Sequence, residues 1–304
     1  MTKQDIKIIL KENRPKLSDS SIVTYTSIIS NLFKHMRPNT PYDASLFNDP
    51  KIVLEYLKDK SCNTRKTVLS ALVVYTLHNP KVSLQYRTVM MSDGSKSNHI
   101  DMEQKMTERQ KENWVSQVQV KDAVDRLEKE TKPLFALYKK GDSITIPHIE
   151  KIQDFVILCL YTMIPPRRLV DYTMFKVRNF NDHDNYMSKS TFVFNTYKTA
   201  KVYGAQIVKI PTKLKNIIQK YTALTTNDFL LFNPRTNIPL SNVQLNVRIG
   251  AIFGKKVSVN ILRHSYLTEQ YKDMQPLVEM EQRACDMGQS VSQALKYIKK
   301  DGKK

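Results

Sequence analysis

Two segments in the middle of the chain carry basic side chains that are suited to binding phosphate. In residues 164–171, two prolines end an apolar run and Arg168 follows them. Asp171 lies one helical turn further on, where its carboxylate can hold the Arg168 guanidinium. Lys198 lies at the basic tip of a predicted hairpin, residues 197–204. Arginine and lysine bind phosphate through charge-assisted hydrogen bonds, so the pattern favours an anionic substrate.

Two further segments, nearer the end of the chain, combine basic, amide and hydroxyl side chains. Residues 260–268 read Asn-Ile-Leu-Arg-His-Ser-Tyr-Leu-Thr, which places Arg263 directly before His264. Residues 287–297 read Met-Gly-Gln-Ser-Val-Ser-Gln-Ala-Leu-Lys-Tyr and end at Tyr297. Each segment alone carries little information. Their order along the chain is what points to one site.

The charge of the whole chain supports a polyanionic partner. Its 304 residues include 48 Lys and Arg against 29 Asp and Glu, a formal net charge of +19. Such an excess repels itself and is not needed for folding, so nucleic acid is the favoured partner. An acidic membrane surface is less favoured, because the basic residues are spread along the chain rather than gathered on one amphipathic helix. A merely basic enzyme is the remaining alternative.

The cysteines and the apolar runs predict an intracellular protein that is neither secreted nor inserted in a membrane. The chain has three scattered cysteines, which form neither a disulfide framework nor a CxxC metal pair. Its first residues include no apolar signal region. The longest apolar stretch, residues 155–166, is far shorter than the roughly 18 residues of a membrane span.

The sequence pattern predicts helices in the first ninety residues. Ser18 to Ser21 offer capping side chains before apolar residues at helical spacing, and Pro38 ends that helix. Asp49-Pro50 is typical of another helix start. A third helix, beginning near residue 63, carries Arg65 and Lys66 in its first turn, where basic groups oppose the helix dipole. Either Arg65 and Lys66 bind DNA and a phosphate neutralises their charges, or both side chains are solvated.

The rest of the chain predicts a linker and a second, mixed domain. Residues 91–114 are polar with little periodicity, so we interpret them as a linker between a helical domain (1–90) and a second domain (115–304). In that second domain, helical patterns at 118–137 and 147–162 precede β-prone runs at 190–195 and 206–210. The fold class is therefore mainly α, with a small antiparallel sheet.

Two candidate motifs are rejected. Residues 250–256 resemble a phosphate loop, but the glycines are one residue too close and no Ser or Thr follows the lysine. Residues 181–185 could ligate a metal, yet five polar residues between a helix and a strand favour a turn. No metal or cofactor is expected.

The four segments together resemble the tyrosine recombinases, the phage-integrase family. In that family an Arg is followed by a Lys on a β-hairpin, then His-x-x-Arg-His, then Gly-His, and then the nucleophilic Tyr. The resemblance is strong over residues 147–297 and weak over residues 18–90, which resemble the family's helical core-binding domain. The segments 164–171 and 287–297 are also similar to integrases of large DNA viruses and their satellite elements.

The resemblance implies a role for each residue. Arg168 and Arg263 would neutralise the equatorial oxygens of a phosphorane, Lys198 would protonate the 5′-hydroxyl leaving group, and Tyr297 would form a 3′-phosphotyrosine without ATP. Asp171 would support Arg168. The remaining assignments are Asn260 and Gln289 as phosphate hydrogen-bond donors, His264 as a buttress packed behind Arg263, and Lys201 as a DNA-binding residue of the hairpin.

The chain departs from the family pattern at three points. Asn260 stands where the family has His, and Gln289 stands where it has His or Trp. Both amides can donate a hydrogen bond, but neither can shuttle a proton at neutral pH. The gap from Gln289 to Tyr297 is also one residue shorter than the commonest family form.

These departures keep three functions open. The first is a site-specific recombinase or integrase that acts as a homotetramer on paired sites in double-stranded DNA. The second is a DNA-binding protein of the same fold that is catalytically impaired. The third is a type IB topoisomerase, which uses the same chemistry as a monomer.

Overall fold

The computed structural model describes residues 2–297 and divides the chain into two compact units. The first unit contains the residues up to Lys105 together with those from Gln275 onward, and the second contains Met106–Met274. The division at Lys105 falls inside the predicted linker. Residues from Gln275 group with the first unit, although we predicted them in the second domain. Position 1 and positions 298–304 of the predicted domains lie outside the described residues.

The first unit is helical throughout its described part, with one short 3-10 helix at Ala44–Asn48. Ser18 caps α2 by accepting a hydrogen bond from the Ser21 amide, and Asp49 caps α3 in the same way from the Lys51 amide, as predicted. Its apolar core includes Phe33, Phe47 and Tyr86. The α-helices are α1 (Lys3–Asn13), α2 (Asp19–Met36), α3 (Pro50–Leu57), α4 (Cys62–Tyr75), α5 (Pro80–Met102), α14 (Leu277–Asp286) and α15 (Val291–Tyr297).

The prediction of an irregular linker over residues 91–114 is wrong for most of its length, because α5 continues to Met102 and a further short helix follows it. Tyr86, Asp93 and Ser97 are buried along one face of α5 at helical spacing. The Ser97 hydroxyl donates to the Asn63 side chain at 2.7 Å, so polar groups fill positions that are usually apolar. The sequence pattern therefore shows little periodicity although the helix packs closely against α4.

The second unit is built around α8, whose residues from Ile152 onward are nearly all buried. Helices α7, α11 and α12 pack against it. The predicted helices at 118–137 and 147–162 are confirmed within a few residues. The helices of this unit are α6 (Glu108–Asn113), α7 (Gln117–Lys139), α8 (Ile146–Leu160), α9 (Val170–Thr173), α10 (Ala200–Tyr203), α11 (Thr212–Thr222), α12 (Asn242–Phe253) and α13 (Val259–Gln270).

A three-stranded antiparallel sheet in the second unit confirms the predicted small sheet. Strands β1 (Tyr186–Ser188), β2 (Thr191–Phe194) and β3 (Gln206–Lys209) lie in that order, with Phe192 opposite Val208. The alternation of β2 directs Phe192 and Phe194 into the core. The described residues are therefore mainly α-helical, as predicted. Within the described residues, no helix is long and apolar enough to cross a membrane.

Candidate functional site

Arg168 lies in the short connection between α8 and α9 and is half-buried. Helix α8 ends at Leu160, and Pro165 and Pro166 prevent it from continuing. The Arg168 carbonyl accepts a hydrogen bond from the Asp171 amide at 3.1 Å, which begins the single turn of α9. The two prolines and this hydrogen bond therefore restrict the backbone on both sides of Arg168.

Asp171 pairs with Arg167 rather than with Arg168, so the predicted support of Arg168 by a direct ion pair is wrong. The Arg167 Nε donates to Asp171 Oδ2 at 2.8 Å. Both side chains are largely buried, at 16% exposure for Arg167 and 4% for Asp171. The spacing of four residues brings the Arg167 group over the carboxylate, whereas Arg168 interacts with it only through its charge.

Arg167 is a site residue that the sequence analysis did not select. Its guanidinium carbon lies 3.8 Å from the centre of the Phe194 ring and 5.2 Å from that of Tyr197. Its Nη1 donates to the Gln206 side chain at 2.8 Å. The spacing of four residues to Asp171 is the signal in the sequence that could have identified it.

Arg263 approaches Arg168 from α13, a helix that begins at the Ser258 cap. Burial lowers the pKa of Arg263, and the positive charge of Arg168 lowers it further, while the Asp171 carboxylate acts in the opposite direction. Two guanidinium groups from distant parts of the chain are thus close enough to repel each other. Within residues 2–297, neither of them forms an ion pair with a carboxylate.

Three buried polar atoms of neighbouring residues in this unit have no hydrogen-bond partner among the described residues. They are Tyr161 Oη, Tyr172 Oη and Asp171 Oδ1. Burial raises the pKa of Asp171 although the charge of Arg167 opposes the shift. Burial also raises the pKa of Tyr161, which the charge of Arg263 partly offsets. Buried polar groups within electrostatic range of the arginines are therefore incompletely satisfied among the described residues, which is uncommon in folded proteins.

Lys198 and Lys201 are exposed on the connection between β2 and β3. Lys198 directly follows Tyr197, whose hydroxyl donates to the Gly204 carbonyl at 2.7 Å and closes the connection. Gly204 adopts a φ of 66°, which favours glycine. Lys198 thus lies beside Tyr197, whose ring centre is 5.2 Å from the Arg167 guanidinium carbon, and its role as a proton donor stays a prediction.

Asn260 and His264 are both exposed on α13. The predicted packing of His264 behind Arg263 is therefore wrong. Helix α13 turns Ile261, Leu262 and Ser265 towards the core, which leaves Asn260 and His264 exposed and Arg263 half-buried between the two faces. Asn260 stands one turn before His264 on this outward face, on the same helix as Arg263.

Gln289 and Tyr297 belong to the first unit, whereas the arginines and Lys198 belong to the second. Gln289 follows the end of α14, where Gly288 has a φ of 68°. The Gln289 amide donates to the Ala284 carbonyl at 2.9 Å, which completes a Schellman cap. Tyr297 is the last residue of α15, and its side chain lies outside the described part of the chain.

Arg65 is held by a carboxylate of its own unit, which contradicts its predicted role in binding phosphate. Its Nε donates to Asp93 Oδ2 at 2.9 Å, and a second guanidinium nitrogen contacts Oδ1. This hydrogen-bonded pair raises the pKa of Arg65. Asp93, rather than phosphate, relieves the charge at the start of α4. For Lys66 and Lys201 the DNA-binding role remains a prediction.

The two rejected motifs have structural roles. Residues 181–185 form a turn in which Asp184 Oδ2 accepts hydrogen bonds from the Asn181 amide and the Lys176 side chain. Gly254 ends α12 in the left-handed conformation. Across residues 2–297, no group of three or more His, Cys, Asp or Glu side chains could hold a metal ion.

Comparison of the chain with protein-family models, with curated proteins and with solved structures finds no match.

Proposed function

We propose that this protein is a site-specific DNA recombinase, or integrase, of the tyrosine recombinase type. The observation that carries the proposal is that Arg168 and Arg263, two half-buried residues whose positive charges influence each other, have no ion-pair partner among residues 2–297. Two positive charges within electrostatic range of each other cost free energy in the absence of an anion. A phosphodiester placed between them would remove that cost and accept bidentate hydrogen bonds from both.

The chemistry that fits these residues is a reversible exchange of phosphate esters. The Tyr297 oxygen attacks the phosphorus, its proton leaves to solvent, and the bond from phosphorus to the 5′ oxygen breaks. Lys198 supplies the proton that the leaving 5′ oxygen takes up. Arg168 and Arg263 stabilise the charge that develops on the two equatorial oxygens. The phosphotyrosine retains the energy of the broken ester, so rejoining requires no ATP and no metal.

The proposed substrate is double-stranded DNA, bound by a homotetramer on paired sites. The net charge of +19 supplies the attraction to the phosphate backbone. If about 6–10 phosphates are contacted, affinity should fall by about 10³–10⁵ between 50 and 200 mM salt. Affinity that is constant over this range would refute the proposed mode of binding.

A nicked duplex with the nick close to the scissile phosphate tests the reaction directly. The released fragment diffuses away, and the protein remains covalently attached to DNA on a denaturing gel. We expect an adduct with the wild-type chain, none with Tyr297→Phe, and a loss of about 10²–10³ or more in rate with Arg168→Ala or Arg263→Ala. Arg235→Ala, which removes an arginine that is 68% exposed in the same unit, is the matched control.

The same assay separates the alternatives. A DNA-binding protein without catalysis is favoured by Asn260 and Gln289, which cannot shuttle protons. It would form no adduct in the wild type, and Asn260→His with Gln289→His would create one. In a slow recombinase the same substitutions raise the rate of adduct formation. A topoisomerase would relax supercoiled DNA as a monomer and would not exchange strands between two duplexes.

A further inference from the structure

Arg167 connects the segment that carries Arg168 with both ends of the connection that carries Lys198. On one side its Nε holds the buried Asp171 carboxylate at 2.8 Å. On the other side it stacks on Phe194, the last residue of β2, and donates to Gln206, the first residue of β3. Every one of these groups belongs to the second unit.

We propose that Arg167 is a positioning residue that sets the place of Lys198 relative to the scissile phosphate. The inference rests on the proposed function, in which Lys198 protonates the leaving 5′ oxygen. Arg167 does not touch the substrate in this proposal. It acts by fixing the base of the β2–β3 connection to the chain beside Arg168.

The contacts of Arg167 suit this task because they constrain the guanidinium in three ways. The ion pair with Asp171 sets its distance, the hydrogen bond to Gln206 sets its rotation, and the ring of Phe194 covers its face at 3.8 Å. The Arg167 side chain is only 16% exposed, and this shielding from water strengthens these interactions. A lysine offers a point charge and could not satisfy all three contacts.

The first residues of the connection are anchored separately from Arg167: the Asn195 side chain donates to the Asp184 carbonyl at 2.8 Å, and the Thr196 backbone bonds to the Asn185 side chain. The part that follows them bonds mainly within the connection. None of the residues in its single helical turn, α10, is buried. The bond from the Tyr197 hydroxyl to the Gly204 carbonyl closes the connection on itself. Tyr197 also lies 5.2 Å from the Arg167 guanidinium carbon, directly before Lys198. Because Asn195 and Thr196 hold the start of the connection independently, displacement of Arg167 would act on Lys198 through Tyr197, the residue directly before it.

A substrate with sulfur in place of the scissile 5′ oxygen tests the proposal, because a thiolate leaves without being protonated. Thiols have a pKa near 8.5, far below that of an alcohol, so general-acid catalysis contributes little to their departure. We expect Arg167→Met to slow adduct formation on the oxygen substrate by about 10²–10⁴, as Lys198→Ala does. On the sulfur substrate, both variants should react within about tenfold of the wild type.

Two controls separate positioning from a general loss of structure. Arg178 is another half-buried arginine of this unit, and it donates to the Asn227 carbonyl at 2.7 Å and to the Thr222 carbonyl. Arg178→Met should change the rates on both substrates by the same factor. Arg168→Ala should lose activity on both. Arg167→Met leaves the Asp171 carboxylate without its ion-pair partner. If this variant fails to fold, the double variant Arg167→Met with Asp171→Asn, which also removes the buried negative charge, is used instead.

The outcomes are distinct. Equal losses on the two substrates in a folded Arg167 variant would overturn the positioning role. Unchanged cleavage of the oxygen substrate would overturn it as well. If the wild-type chain forms no adduct on either substrate, the proposed function itself fails, and the inference about Arg167 fails with it.

Discussion

Replacing Arg65 by Leu should destabilise the first unit, because it leaves the Asp93 carboxylate buried without its partner. Asp93 is 1% exposed, and both of its oxygens accept hydrogen bonds from Arg65. Arg65 also donates to the Lys58 carbonyl at 3.1 Å. Removing one member of a buried ion pair costs about 3–5 kcal/mol. Arg65 itself is 20% exposed, so water can reach the pair and we expect a loss of about 3 kcal/mol.

Urea denaturation followed by circular dichroism measures this loss, and hydrogen exchange assigns it to α4 and α5. Lys66→Leu is the matched control at the next position, and it should change the free energy of unfolding by about 0.5 kcal/mol or less. Arg65→Leu combined with Asp93→Leu should recover most of the stability, since an apolar pair replaces a buried ionic one. A loss below about 1 kcal/mol in Arg65→Leu, accompanied by weaker DNA binding, would refute the structural role and restore the predicted phosphate contact.

Three further predictions concern single substitutions, each checked by equilibrium unfolding. Gly94→Ala should stabilise α5 by about 0.5–1 kcal/mol, because the new Cβ meets only the Lys66 stem at 3.8 Å; destabilisation would contradict this. Tyr172→Phe should stabilise by about 1 kcal/mol, since it removes a buried hydroxyl without a partner among residues 2–297; a loss of stability would show that the hydroxyl is bonded. Burial raises the pKa of the Asp154 carboxyl above its ordinary value of 3.8, although the charge of Arg248 opposes the shift. The folded chain therefore binds this proton more tightly than the unfolded chain does. The contribution of Asp154 to the free energy of unfolding falls as the pH rises from 3.8 to the raised pKa. Asp154→Asn should abolish that fall, and an unchanged pH profile would contradict the assignment.

Helix starts were predictable because their causes are local. Ser18 and Asp49 cap α2 and α3 through bonds to amides two or three residues away, and Pro50 fits the first turn. Such signals depend on a few neighbouring residues and survive in any tertiary context. The strands at 190–195 and 206–210 were predictable for a similar reason, while the three residues of β1 are too few to form a pattern.

The errors arise where distant parts of the chain decide the outcome. The stretch of α5 that includes Gly94 has low helix propensity, but Arg65 and Asn63 on α4 satisfy its polar groups. Asp171 binds Arg167 because Phe194 and Gln206 hold that guanidinium in place, and neither is near it in sequence. The sequence spacing allows Asp171 to pair with either arginine, three or four residues away, and the contacts of Arg167 with Phe194 and Gln206 decide between them.

The order of the residues along the chain places both apolar cores before the proposed nucleophile. The described members of the two apolar clusters lie at residues 6–86 and 115–262, with the partly buried residues around them inside residues 9–253. Neither cluster therefore includes a described residue beyond position 262, so a released chain that ends before residue 275 contains both cores. Tyr297 is added later than Arg168, Lys198 and Arg263. On the proposed function, a prematurely terminated chain would retain the phosphate-binding arginines without the nucleophile, and would occupy DNA without breaking it.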